Sequence, residues 1–177
     1  MKNVRHWLMA MMTALFVMGQ AYGSSKVHQN QLNRLYSEDT HQEEWCLALN
    51  IYYEARSDMI AGQYAVADVT LNRVDDPRFP NTVCEVVKQA KTNKNGKIIK
   101  WRCAFSWYCD GKSDTPTEIT AWEKAQTVAY QIINNGQYRG ITEGSTHYHN
   151  TKVFPYWAES VTLIGRIGDH IFYRWEK

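Results

Sequence analysis

The stretch ALNIYYEARSDMIAGQYAVADVTLNRV, residues 48–74, decides the fold class. It reads as two helices with a break around Ser57 and Asp58. Just upstream, Thr40-His41-Gln42-Glu43 has the form of a capping box, a hydroxyl followed three residues later by a glutamate. A first helix is therefore expected from there to about Arg56. Trp45, Leu49 and Tyr52 share one face at helical spacing. Glu54 falls on a neighbouring face with Leu47, Asn50 and Ile51, so its local company is mostly apolar. A carboxyl group in such surroundings keeps its proton to higher pH, because desolvation disfavours the anion. That property suits a general acid working near neutral pH.

Outward from this stretch, a second helix is expected from about Ala61 to Val74. Asp75-Asp76-Pro77 ends it, since a residue before proline avoids the helical region. Thr82 and Glu85 cap a short third helix. Residues 91–100 form a polar loop or a small hairpin turning at Asn95-Gly96. Thr115-Pro116-Thr117-Glu118 carries a cap hydroxyl, proline at the first helical position and a following glutamate. It is expected to open a helix bearing Trp122, Ala125, Val128, Ala129 and Ile132, closed by Asn135-Gly136. The C-terminal part changes period. Thr146 to His149 and Val161 to Trp175 are rich in β-branched and aromatic residues, with a turn signal at Gly168-Asp169. Helices followed by a small antiparallel sheet make an α+β domain.

The first 23 residues read as a leader. Lys2, Arg5 and His6 precede an apolar run from Trp7 to Met18, and Ala21-Tyr22-Gly23 fits cleavage before Ser24. The rival is an uncleaved anchor holding the domain at the membrane. Residues 24–39 are polar and read as a linker, leaving 40–177 as one domain. The chain has 20 Lys and Arg against 18 Asp and Glu; without Lys2 and Arg5 the charges balance. A nucleic-acid partner is not expected from a neutral domain. The basic run from Lys88 to Arg102 reads as a solvated loop, or as one that meets an anionic envelope polymer. Cys46, Cys84, Cys103 and Cys109 are an even set in a chain read as exported, so disulfides are expected. Three pairings exist. The short spacing favours Cys103 with Cys109, leaving Cys46 with Cys84; zinc is the competing use.

Several blocks carry a family likeness: NIYYEAR, GQYAVADVTLNRV followed by PRFPNTVCEVV, CAFSWYCDG, THYHNTKVFPYWAES and IGDHIFYR. Together they span roughly residues 45–175, and the chain resembles the SleB-type cell wall hydrolases (the cell wall hydrolase 2 family). That family cuts peptidoglycan and is associated with lytic transglycosylase activity. The resemblance implies that Glu54 matches the family's catalytic glutamate. It also implies a mainly helical fold, related to lysozyme-like transglycosylases, with a small antiparallel sheet. One departure is visible: the family usually has glycine after the arginine of its EAR motif, and here Ser57 stands there.

A lytic transglycosylase can work with one carboxyl group where ordinary glycosidases use two. Glu54 would protonate the glycosidic oxygen, then take a proton from the C6 hydroxyl of the muramyl sugar as the anhydro ring closes. No cofactor is expected, the partner is a peptidoglycan strand, and the domain is expected to be a monomer of the periplasm or cell envelope. Asp58 reads as a surface or capping charge; Asp68 and Asp110 are further candidate carboxylates for the cleft. Gln63 and Asn72 are candidates for holding sugar hydroxyls or acetamido groups, against ordinary helix-end hydrogen bonding. Ser106 is a candidate hydrogen-bond partner of substrate or of Glu54. Tyr148, Trp157 and Tyr173 are candidate stacking platforms, against a place in the core.

Two rival functions follow from other residues. His147 and His149 alternate on a strand, and with His170 would make a three-histidine zinc site of a cell wall amidase or peptidase. A non-catalytic peptidoglycan-binding module would have no use for a desolvated acid. A tight Glu54–Arg73 salt bridge would favour a structural role for the glutamate.

Overall fold

The computed structural model describes residues 38–176. The expected leader (residues 1–23) and nearly all of the linker lie outside them. The domain from His41 onward begins with helix α1, Gln42–Ala55. Every residue from Cys46 to Tyr52 is buried, so α1 is a central helix with little exposed face. Helix α2, Ile60–Asp75, crosses it, and α3, Val83–Val87, is pinned beneath by the Cys46–Cys84 disulfide. Helix α4, Ile119–Asn135, covers the remaining side of α1 with Ala125, Val128, Ala129 and Ile132. Trp122 meets Trp45 edge-on at 4.9 Å. Truncating a fully buried residue here, such as Leu47→Ala, would cost about 2–5 kcal/mol. Among the described residues, no helix is long and apolar enough to cross a membrane.

Strands β1, Ala90–Thr92, and β2, Ile98–Cys103, make a two-stranded hairpin whose turn has Gly96 at φ 75°. A three-stranded antiparallel sheet closes the domain in the order β3-β5-β4, with β3 His147–Asn150, β4 Thr162–Ile167 and β5 His170–Arg174. Its register sets Tyr148 opposite Phe172 and His147 opposite Tyr173. The Tyr148/Phe172 face packs on α2, where Phe172 joins Ala65 and Val69. Gly168 turns the last hairpin at φ 59°.

Two helix starts differ from expectation. The helix near Thr115 begins at Ile119, with Glu118 as an N-cap that makes no side-chain bond. The Tyr52 hydroxyl accepts from the backbone N–H groups of both Thr117 and Glu118 at 3.1 Å, so a side chain of α1 does the capping. At the front of α1 the cap is His41, and Glu43 reaches across to accept from the Val83 N–H rather than closing a capping box. The Thr82/Glu85 cap forms as expected: Thr82 accepts from the Glu85 N–H at 3.2 Å. Helix α2 ends at Asp76, which has left the helical region, and α4 ends on Gly136 at φ 64°.

Candidate active site

Glu54 sits in the last turn of α1, one turn beyond the fully buried Asn50. Asn50 is fixed from both sides: it donates to Thr70 Oγ1 at 3.1 Å and accepts from Trp107 Nε1 at 3.1 Å. The turn of α1 just before Glu54 is thereby tied to α2 and to the 3-10 turn Ser106–Cys109. Glu54 itself is half-buried. The Tyr148 hydroxyl, arriving from β3, donates to its Oε2 at 3.1 Å. Burial holds the Glu54 carboxyl above the usual carboxylate range, and the Tyr148 bond and the charge of Arg73 pull it only part of the way back. The same burial, together with the carboxylate, keeps Tyr148 protonated well beyond the ordinary phenol range, so it remains a donor.

Arg73 does not clamp the glutamate. Its Nε donates to the Thr146 carbonyl at 2.8 Å, and its guanidinium lies over the rings of Phe79 at 5.4 Å and Phe105 at 5.0 Å. Among the described ion pairs none joins Arg73 to Glu54. Arg56 turns away to Glu118 at 2.9 Å. The arrangement is a half-buried acid with one neutral donor on it and a cation near by. It can give up a proton and, once ionised, is steadied by a hydrogen bond and a positive field.

Tyr148 is positioned from beneath. Its ring meets His170 edge-on at 5.1 Å and Phe172 at 5.7 Å. His170 Nδ1 lies 3.3 Å from Asp58 Oδ2, and the same carboxylate accepts from the N–H groups of Met59 and Asp169. Asp58 is therefore a buried anchor between the α1–α2 turn and the β4–β5 turn, not a surface charge. Two glycines make room for it: a Cβ on either Gly62 or Gly168 would come within 2.2 Å of its carboxylate. Ser57, where the family usually has glycine, is not among the residues with positive φ, so this turn does not require glycine there.

The other expected site residues spread over several places. Gln63 is buried and donates to the Asp58 carbonyl at 3.2 Å. Asn72 donates to Thr142 Oγ1 and the Ser145 carbonyl and accepts from Arg139, tying α2 to the loop before β3. Ser106 is exposed at the start of the 3-10 turn, and the bond to Glu54 comes from Tyr148 instead. His147, Trp157 and Tyr173 gather on the sheet face opposite Tyr148, with ring centroids 5.4 Å apart for His147–Trp157 and 5.5 Å for Trp157–Tyr173. Tyr173 is buried, stacked on His149 and bonded to its Nε2 at 2.9 Å, which places it in the packing of that face rather than at a sugar platform. Asp68 is fully buried and held by Arg139, Gly140 N–H and Thr142, and Asp110 caps the turn at Lys112. Neither belongs to the Glu54 site.

The three-histidine zinc site does not form. His147 and His149 share one face with Trp157, whereas the β5 register puts His170 on the other, against Tyr148 and Asp58. Among the described residues no group of three or more His, Cys, Asp or Glu is placed to hold a metal. The cysteines are all in disulfides, Cys46–Cys84 and Cys103–Cys109.

The fold is that of one class. The Cell Wall Hydrolase family matches residues 57–173, more than half of the chain, and the chain belongs to that family. The matched segment begins three residues after Glu54, so the family match bears on the frame around the acid and not on the acid itself. Among solved structures, the catalytic domain of the germination-specific lytic transglycosylase SleB from Bacillus anthracis superposes with a TM-score of 0.57 at 30% identity. That similarity covers 78% of this chain and 97% of that one. The catalytic domain of the Bacillus cereus SleB protein gives a TM-score of 0.51 at 28% identity, covering 75% of this chain and 91% of that one. The spore cortex-lytic enzyme of Bacillus subtilis is 33% identical over 128 residues, 71% of this chain and 35% of the relative. That of Halalkalibacterium halodurans is 32% identical over 127 residues, 71% of this chain and 33% of the relative. The chain thus spans about a third of the length of these curated relatives.

Proposed function

We propose that this protein is an exported peptidoglycan-cleaving enzyme of the periplasm or cell envelope. It acts on the β-1,4 bond between N-acetylmuramic acid and N-acetylglucosamine as a lytic transglycosylase. Glu54 serves as the single general acid and base, and the scheme uses no cofactor. The observation that carries the proposal is the Tyr148–Glu54 contact: a half-buried carboxyl, raised in pKa by burial, held at one oxygen by a neutral donor at 3.1 Å. Membership of the cell wall hydrolase family and the likeness to SleB catalytic domains support the substrate class.

In this scheme the neutral Glu54 protonates the glycosidic oxygen as the bond to the muramyl C1 breaks. The carboxylate left behind is stabilised by the Tyr148 hydroxyl and by the charge of Arg73, both already in place. It then removes the proton from the muramyl C6 hydroxyl as that oxygen closes on C1. Glu54 is neutral again at the end, and water enters at no step. Gln63 and Asn72 act by holding the loops around the site, and Trp157 packs with His147 on the sheet face opposite Tyr148.

The test is turbidity loss of purified sacculi. Wild type is expected to solubilise them and Glu54→Gln to be at least about 100-fold slower, the usual scale for a lost acid–base group. Equal rates would overturn the assignment of Glu54.

A further inference from the structure

We propose that the β1–β2 hairpin docks this protein on an anionic lipid surface. All twelve residues from Lys91 to Arg102 are exposed. They include five cations (Lys91, Lys94, Lys97, Lys100 and Arg102) and no acid, in a chain whose remaining charges lean negative. Among them stand three large apolar side chains open to water: Ile98 at 44%, Ile99 at 41% and Trp101 at 59%. Strand β2 is exposed along its length as far as Cys103, so these side chains cover no core. Large apolar side chains left open on one hairpin, with no packing role, mark it as an interaction surface.

The hairpin is built to hold its shape. Asn93 closes the tip: its N–H donates to the Lys97 carbonyl at 2.8 Å, and its side-chain oxygen accepts from the N–H groups of Asn95 and Lys97. The base is fastened by the Cys103–Cys109 disulfide and by the Ala104 N–H on the Gln89 carbonyl at 2.8 Å. Trp101 has φ 63°, a region a bulky residue rarely adopts, and its ring stays outside with Lys100 Nζ 5.2 Å from the centroid. Cations around a tryptophan and two isoleucines match the headgroup boundary of an anionic bilayer. Ammonium groups meet phosphates there, the indole sits at the interface, and aliphatic side chains enter the acyl edge. A sugar polymer bound here would find no carboxylate to accept from its hydroxyls, and would leave Ile98 and Ile99 without a role.

The experiment is hydrogen exchange of the full chain, read at residues 91–102, with phosphatidylglycerol/phosphatidylcholine vesicles, with phosphatidylcholine vesicles and with purified sacculi. A local readout separates the hairpin from any membrane affinity of the apolar N-terminal run. Exchange at 91–102 is expected to slow about tenfold on anionic vesicles only. The slowing should be lost in Lys94→Glu/Lys97→Glu/Lys100→Glu and in Ile98→Ser/Trp101→Ala. Unchanged exchange on anionic vesicles would overturn the proposal. So would protection by sacculi that survives Ile98→Ser/Trp101→Ala, which would assign the hairpin to an anionic wall polymer.

Discussion

The hydroxyl of Tyr148 lies 3.1 Å from Oε2 of Glu54, joining a sheet residue to a helix residue 94 positions away. It is a donor that stays neutral, aimed at an acid that burial keeps protonated to unusually high pH. Such a bond favours the anion, so it shapes the pKa of the acid and, in the proposed mechanism, the stability of the carboxylate formed as the bond breaks.

Tyr148→Phe removes that donor and keeps the ring on His170 and Phe172. The expected loss in kcat is roughly 10- to 100-fold, the scale of a hydrogen bond to a charged group. Without the bond, Glu54 holds its proton to still higher pH, so the alkaline limb of kcat/KM moves upward. A pH–rate profile of the variant checks both. An unchanged kcat with an unmoved alkaline limb would contradict the role given to Tyr148.

Glu54→Gln is expected to stabilise the fold at neutral pH. Burial raises the folded pKa of Glu54 above its unfolded value of 4.5. The stability it contributes as a neutral group is therefore fully present below 4.5 and drains away as pH rises through the folded value. Glutamine is neutral throughout. Thermal melts should show the variant above wild type at pH 7 and level with it near ~pH 4. A lower Tm for the variant at pH 7 would mean the carboxylate is held as a structural anion.

Asp68 separates structural from chemical carboxylates. It is fully buried, and its partners are Arg139, Gly140 and Thr142. Asp68→Ala leaves those donors unpaired and should destabilise by about 3–5 kcal/mol. The folded fraction should keep its pH–rate profile, which stability curves and kinetics on the same samples will show.

Asp58→Asn acts on the site through geometry. The Asp58 carboxylate accepts from the Met59 and Asp169 N–H groups and lies against His170, on which Tyr148 rests. Activity should fall with KM little changed, since the substrate surface stays and the aim of Tyr148 is lost. A change confined to KM would place Asp58 in substrate binding instead.

Much of the frame was legible because it depends on local chemistry. Thr82 with Glu85, the break at Asp76-Pro77, Gly136 after α4 and the glycine turns at Gly96 and Gly168 each act within a few residues, and each appears where expected. Long-range partners defeated the rest. The start of α4 shifted because Tyr52, 65 positions away, accepts the N–H groups at its front. Asp58 read as a surface charge because its partner turn lies 111 positions downstream. Alternation placed His147 and His149 on one face correctly, but only the pairing register of β5 shows His170 on the other. Glu54 stood out through its apolar neighbours in α1, whereas the hydroxyl that reaches it comes from a strand whose packing no local pattern reveals.

The most direct test of the central claim is mass spectrometry of muropeptides released from purified peptidoglycan by wild type and by Glu54→Gln. One carboxyl acting twice predicts 1,6-anhydromuramyl ends from wild type and almost no product from the variant. Reducing muramyl ends from wild type, or anhydro ends from Glu54→Gln at the wild-type rate, would contradict it.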